Sequence, residues 1–167
     1  MKPKRLISLL VAVCMMITML PLSAVTAFAE DTSSSTGGTA IVDGYKYGYR
    51  VNADGKTVTL EGFSGLDDSH FYYVDIPEKL DKYTVTGIGD QVFWNCVLLK
   101  EVTIPQSVTS IGDSAFNVCT NLTSVTIKDA ATSIGDFAFC QCENLKTLKL
   151  GENITTIGVA AFKDCHE

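Results

Sequence analysis

The sequence predicts an α/β solenoid of stacked 23-residue coils, each giving one strand to a parallel sheet and one short helix to the opposite side, behind an N-terminal β-hairpin cap. The first reason is the spacing. Ile-Gly recurs at 88, 111, 134 and 157, Phe at 93, 116, 139 and 162, and Cys at 96, 119, 142 and 165, always 23 residues apart. A unit this short cannot bury its own apolar side, so neighbours must stack on it. The second reason is that the apolar period inside each unit switches from helical to strand-like.

Residues 1–29 have the layout of a secretory signal: Lys2, Lys4 and Arg5, an uncharged apolar run from Leu6 to Leu20, Pro21, and Ala27-Phe28-Ala29 before Glu30. A retained membrane anchor is the alternative, but a span needs about 20 apolar residues and this run is shorter. A lipoprotein reading would use Cys14, which Val13 precedes where such processing wants a small residue. Cleavage between Ala29 and Glu30 is therefore expected, with no spanning segment in the mature chain.

Residues 30–40, EDTSSSTGGTA, are almost without apolar side chains and read as a flexible tether. Residues 41–70 read as the cap, because Tyr49, Val51, Val58 and Leu60 alternate around an Asp54-Gly55 turn, which is a hairpin signal. The solenoid is expected over 71–167. It starts at FYYVDIP, 71–77, which aligns with LKEVTIP, 99–105, as a divergent first strand. Three full repeats and a partial fourth follow.

Within a repeat, Asp90, Asp113 and Asp136 are acceptors suited to a helix N-terminus. Val92, Phe93 and Cys96 then share one helical face. LKEVTI at 99–104, LTSVTI at 122–127 and LKTLKL at 145–150 alternate as strands with one buried side. Val108 with Ile111, and Ile154 with Ile157, close the coil, and Ala131 is the weak member of that set.

IGDSAFNVCTNLTSVTI and its neighbours resemble the BspA-like leucine-rich repeats of bacterial secreted and surface proteins, whose units read IG-x-x-AF-x-x-C-x-x-L-x-x-V-x-I. The resemblance covers residues 85–167 repeat by repeat. It implies a leucine-rich-repeat solenoid with a cap-like lead-in and a non-catalytic role in surface attachment to host or matrix proteins. The sequence departs from that pattern where Val159 replaces the Asp. The asparagine position of other leucine-rich repeats falls on Ser107, Ala130 and Asn153, so no continuous asparagine ladder is expected.

The chain has 13 basic and 19 acidic residues, and the signal holds three of the basic ones and none of the acidic, which leaves the mature segment at −9. That balance argues against nucleic acid and anionic lipid surfaces. The chain ends where the next Leu and strand are due, so a monomer or a piece of a longer chain is expected.

Chemical sites are sparse. Cys96, Cys119, Cys142 and Cys165 share an inward column and read as small apolar core residues, with pairing between stacked neighbours as the alternative. Cys140 lies about 200° of helix from Cys142, so it is expected as a lone exposed thiol. A metal site of Cys140, Cys142 and His166 lacks the paired C-x-x-C spacing, and the Asp column offers too few ligands for calcium. His70 and His166 have no placed Ser or Asp, and the Glu101 column continues as Ser124 and Thr147. No catalytic, cofactor or metal residue is assigned.

What remains is a surface. Glu101, Thr103, Ser124, Thr126, Thr147 and Lys149 should tile the open strand face, either as the site of a protein or glycan ligand or as merely solvated residues. Tyr45, Tyr47, Tyr49, Tyr72 and Tyr73 gather in the cap region, as packing or as sugar-stacking rings. The expected function is a secreted or cell-surface binding or adhesion module. The alternatives are the recognition or spacer segment of a larger secreted enzyme, and a structural stalk.

Overall fold

The structure, a computed structural model, describes residues 37–65 and 72–166. The signal segment with its Ala29–Glu30 junction, residues 30–36 and His70 lie outside the described residues.

Three antiparallel strands come first: β1 (Gly37–Val42), β2 (Tyr45–Val51) and β3 (Thr57–Gly65). The expected tether is too long, because Gly37 to Ala40 already pair with β2 as part of β1. Composition hides this strand: its Gly, Thr and Ala side chains resemble a linker, while its backbone pairs with β2 along its whole length. The β1–β2 turn is Asp43-Gly44, both with positive φ at 50° and 81°, which matches the right-handed twist of the strands. At the β2–β3 turn the Asp54 carboxylate accepts from the Lys56 and Thr57 N–H groups and the Thr57 hydroxyl. Those bonds hold its carboxyl below its ordinary range.

The chain continues through β4 (Tyr73–Asp75), β5 (Lys79–Leu80) and β6 (Tyr83–Ile88). The repeats then alternate β7 (Glu101–Ile104), β8 (Ser110–Ile111), β9 (Ser124–Ile127), β10 (Ser133–Ile134), β11 (Thr147–Lys149) and β12 (Thr156–Ile157). Two sheets result. One runs β1-β2-β3-β6-β8-β10-β12, antiparallel at its start and parallel from β3 onward, with β5 beside β6. The other is the parallel sheet β11-β9-β7-β4. Ile88, Ile111, Ile134 and Ile157 stand in register on the first, and Val74, Val102, Val125 and Leu148 on the second.

The third side of each coil is not a helix. Among the described residues no α-helix forms, and residues 90–97, 113–120 and 136–143 are turns. Their backbone carries left-handed residues four apart, at Gln91 and Asn95, Ser114 and Val118, Phe137 and Gln141, and Ala160 and Asp164. A helix would send each N–H to a carbonyl four residues back in the same segment. Here every second N–H crosses to the next coil: Ser114 to the Asp136 carbonyl at 2.8 Å, Phe116 to Ala138 at 2.7 Å and Val118 to Cys140 at 2.9 Å. Phe137, Phe139 and Gln141 repeat the pattern on Val159, Ala161 and Lys163. A segment of about ten residues makes a marginal helix in any case, and stacking offers its amides better partners.

The Asp column changes role accordingly. Instead of capping its own segment, Asp90 accepts the Asp113 N–H at 2.8 Å, Asp113 accepts that of Asp136 at 2.8 Å, and Asp136 accepts that of Val159 at 2.6 Å. The glycine before each Asp is required by this closeness. A Cβ on Gly135 would stand 2.5 Å from the Asp113 Oδ1 and 2.7 Å from the Gly112 carbonyl carbon. Smaller ladders join it. Thr109, Thr132 and Thr155 hydroxyls each donate to the carbonyl one coil back, and so do the Asn121 and Asn144 amides, 24 residues back on Val97 and Thr120.

Between the three sides runs the core. Phe93, Phe116, Phe139 and Phe162 stack with centroids 4.8, 5.0 and 5.3 Å apart and rings within 4° of parallel. Full burial of one such ring is worth about 2–3 kcal/mol. The column continues into the antiparallel strands, where Phe63 lies 4.5 Å from Phe93 and Tyr47 lies 5.4 Å from Phe63. Beside it the Cys119, Cys142 and Cys165 thiols donate to the carbonyls of Phe93, Phe116 and Phe139 at 3.1, 3.3 and 3.2 Å. These cysteines are therefore polar partners of the stack as well as small fillers.

Candidate functional site

Sheet pairing puts the outward residues of the second sheet in two rows. One row is Tyr73, Glu101, Ser124 and Thr147, and the other is Asp75, Thr103, Thr126 and Lys149. All six residues expected to tile the face stand side by side on it, with strands about 4.8 Å apart. Tyr73 and Asp75 were missed, although the alignment of FYYVDIP with LKEVTIP puts them in the Glu101 and Thr103 columns.

Tyr73 is the largest side chain of the rows, and 62% of it is exposed. Its setting is nonetheless ordered. The Tyr45 hydroxyl donates to the Tyr73 carbonyl at 3.0 Å, the Tyr72 ring meets the Tyr73 ring edge-on at 6.5 Å, and the Lys100 ammonium sits 4.5 Å from the Tyr72 centroid. The other tyrosines of the N-terminal region pack. Tyr45 lies 5.3 Å from Phe63 and Tyr47 is buried. Tyr49 donates to Asp81 at 2.7 Å, a bond that pushes its phenol up to about 12.

Cys140 does not form the exposed thiol that helical geometry implies. It is buried, as is Cys142, because the left-handed residues Phe137 and Gln141 turn the backbone and remove the 200° offset on which exposure depended. Cys119, Cys140, Cys142 and Cys165 are free thiols. Burial pushes the Cys119 thiol up to about 12 and raises that of Cys142 as well, which is the opposite of nucleophile activation. Among the described residues no group of three or more His, Cys, Asp or Glu side chains could hold a metal ion.

The first sheet carries a shallow cleft of about 580 Å³ where the antiparallel strands meet the first coil, bordered by Arg50, Thr59, Glu61, Asp90 and Ser110. Its charged groups are already engaged: Arg50 Nε lies 2.6 Å from Glu61 Oε1, and Asp90 holds the Asp113 N–H. The flat rows of the second sheet are the less committed surface.

Residues 64–167 match the BspA type leucine rich repeat region, in six copies. The chain is 32% identical to a leucine rich cell surface protein of Faecalibacterium prausnitzii, with a TM-score of 0.65 over 80% of this chain and 36% of that one. It is also 32% identical to a leucine-rich repeat protein of Bacteroides ovatus, with a TM-score of 0.63 over 75% of this chain and 33% of that one. A leucine rich repeat protein of T. pallidum, at 24% identity and a TM-score of 0.61, shares the fold. The chain thus spans about a third of the length of the first two. No curated protein matches it.

Proposed function

The chain belongs to the BspA-type leucine-rich-repeat family, and on that premise we propose that it is a non-catalytic binding or adhesion module, exported to the cell surface or beyond, whose ligand lies on the outward rows of the second sheet. The observation that carries the reading is the register. A repetitive core holds two straight rows of side chains that vary along the stack, Tyr73, Glu101, Ser124, Thr147 and Asp75, Thr103, Thr126, Lys149, with Thr103 and Thr126 the one matching pair of neighbours, while the side chains beneath them scarcely vary. A fixed scaffold under a varied face is how stacked repeats build a recognition surface. The likeness to a cell surface protein supports export, and so does the layout of residues 1–29. The raised pKa values of the Cys119 and Cys142 thiols support a role without thiol chemistry.

Saturable binding of the mature chain to a defined subset of an array of glycans and extracellular-matrix proteins is the expected result. Absence of saturable binding to any of them would favour a structural stalk instead.

A further inference from the structure

The binding face is not uniform, and its N-terminal corner is chemically the most distinctive part. Tyr73 on β4 stands directly across from Glu101 on β7, and Asp75 follows two residues along the same face, across from Thr103. An exposed ring thus has a carboxylate beside it in each direction of the sheet. Among the described residues neither Asp75 nor Glu101 is part of an ion pair. The cation of the two rows, Lys149 on β11, lies three strands from Asp75 and two from Glu101, about 14 and about 10 Å at sheet spacing and beyond the screening length of physiological salt. Lys100, the nearer cation, is held on the Tyr72 ring.

We propose, resting on the reading of this sheet as the binding face, that the corner formed by Tyr73, Asp75 and Glu101 receives an arginine- or lysine-bearing segment of a partner protein. A cation over an exposed aromatic face is attracted by the ring quadrupole. Either flanking carboxylate can accept charge-assisted hydrogen bonds from that group, and a guanidinium can meet the two oxygens of one carboxylate with a pair of parallel bonds. Charge also decides against a neutral saccharide. A sugar stacked on Tyr73 would draw water from two carboxylates without neutralising either, and a buried unpaired charge is costly. A cation neutralises them as it covers them. The ring is placed for this in advance, by the Tyr45 hydroxyl on its backbone and the Tyr72 ring at its side, so little ordering is needed on binding.

The test uses the mature chain and a labelled Gly-Ser peptide carrying one Arg-Gly-Arg segment, with a citrulline copy as the uncharged control. Binding should favour the arginine peptide and weaken with salt. Tyr73→Ala should weaken it about fivefold while Tyr73→Phe keeps it. Asp75→Asn with Glu101→Gln should cost about tenfold and remove most of the salt dependence. Unchanged thermal melting of each variant shows that the fold is intact. Equal binding of the citrulline copy, or no binding of the arginine peptide, overturns the proposal. So does a neutral saccharide that competes for Tyr73 and binds the Asp75→Asn, Glu101→Gln variant undiminished. If Thr126→Arg and Lys149→Glu weaken binding of array-identified ligands while the corner variants do not, this inference fails and the face survives. If neither set has an effect, both fail.

Discussion

At the scale of single residues, the cysteine column is where an apolar reading falls short. Cys119, Cys142 and Cys165 each donate to the Phe carbonyl one coil back while the side chain fills the core, so each is both a filler and a bond between coils. Burial raises the Cys119 thiol from 9.0 to about 12. The sign follows from that direction. Below pH 9 both folded and unfolded chains hold the proton, and the stability is intact. Between pH 9 and about 12 the unfolded chain releases it and the folded chain does not, so stability falls as pH rises. Urea unfolding at a series of pH values should show this fall. Cys119→Ala should be less stable at pH 7 by about 1–2 kcal/mol, from lost packing and a lost bond, yet lose less between pH 9 and 11. A variant with the same pH slope as the natural chain would contradict the assignment. Cys140 teaches a different lesson. Its burial was illegible because a rotation angle was borrowed from a helix that the backbone does not make.

At the scale of elements, the coil is closed by hydrogen bonds between repeats on all three sides. Strand ladders were readable from the alternation of Val102 and Ile104 and its copies, since a period of two has one backbone meaning. The third side was not, because the spacing of Val92, Phe93 and Cys96 fits both a helical turn and the left-handed turn that forms. The deciding residues, Gln91, Asn95, Ser114, Val118, Phe137 and Gln141, have positive φ without being glycine, and only Asn95 is of a type that favours it, so the sequence scarcely announces them. The Ile-Gly-Asp triplet was visible but read as a cap. Its real work is between coils, and this can be measured. Asp113→Ala removes an acceptor from the Asp136 N–H and should cost about 1–2 kcal/mol. Gly135→Ala pushes a methyl group against the Asp113 carboxylate and the Gly112 backbone and should cost about 2–3 kcal/mol. The double variant should cost less than the sum, because once the carboxylate is gone part of the clash goes with it. Strict additivity in thermal or urea unfolding would mean that the two residues act separately.

At the scale of the whole molecule, a repeat of 23 residues fixes the fold and leaves the function to what does not repeat. The inward columns of Ile, Phe, Val and Cys were legible because they recur. The antiparallel strands continue the aromatic column through Phe63 and Tyr47, so one core runs through the described residues. At the other end Leu148, Ile157 and Val159 are 37%, 50% and 69% exposed, whereas Val125 and Ile134, their counterparts of Leu148 and Ile157 one coil back, are buried. The candidate site was legible in six of its positions. Its aromatic corner was overlooked because Tyr73 and Asp75 sit in the divergent first strand, where a longer link to the next Ile-Gly obscures the register.

Under the proposed function, ligand meets the second sheet and not the first. The direct measurement is the affinity of an array-identified ligand for two variants of the mature chain, Thr126→Arg at the centre of the proposed face and Ser133→Arg on the first sheet. A large side chain at the middle of a packed contact should weaken binding by more than about tenfold, while the same side chain outside it should change it by less than about twofold. Loss of binding in Thr126→Arg with retention in Ser133→Arg is the predicted result, and the reverse pattern would contradict the account.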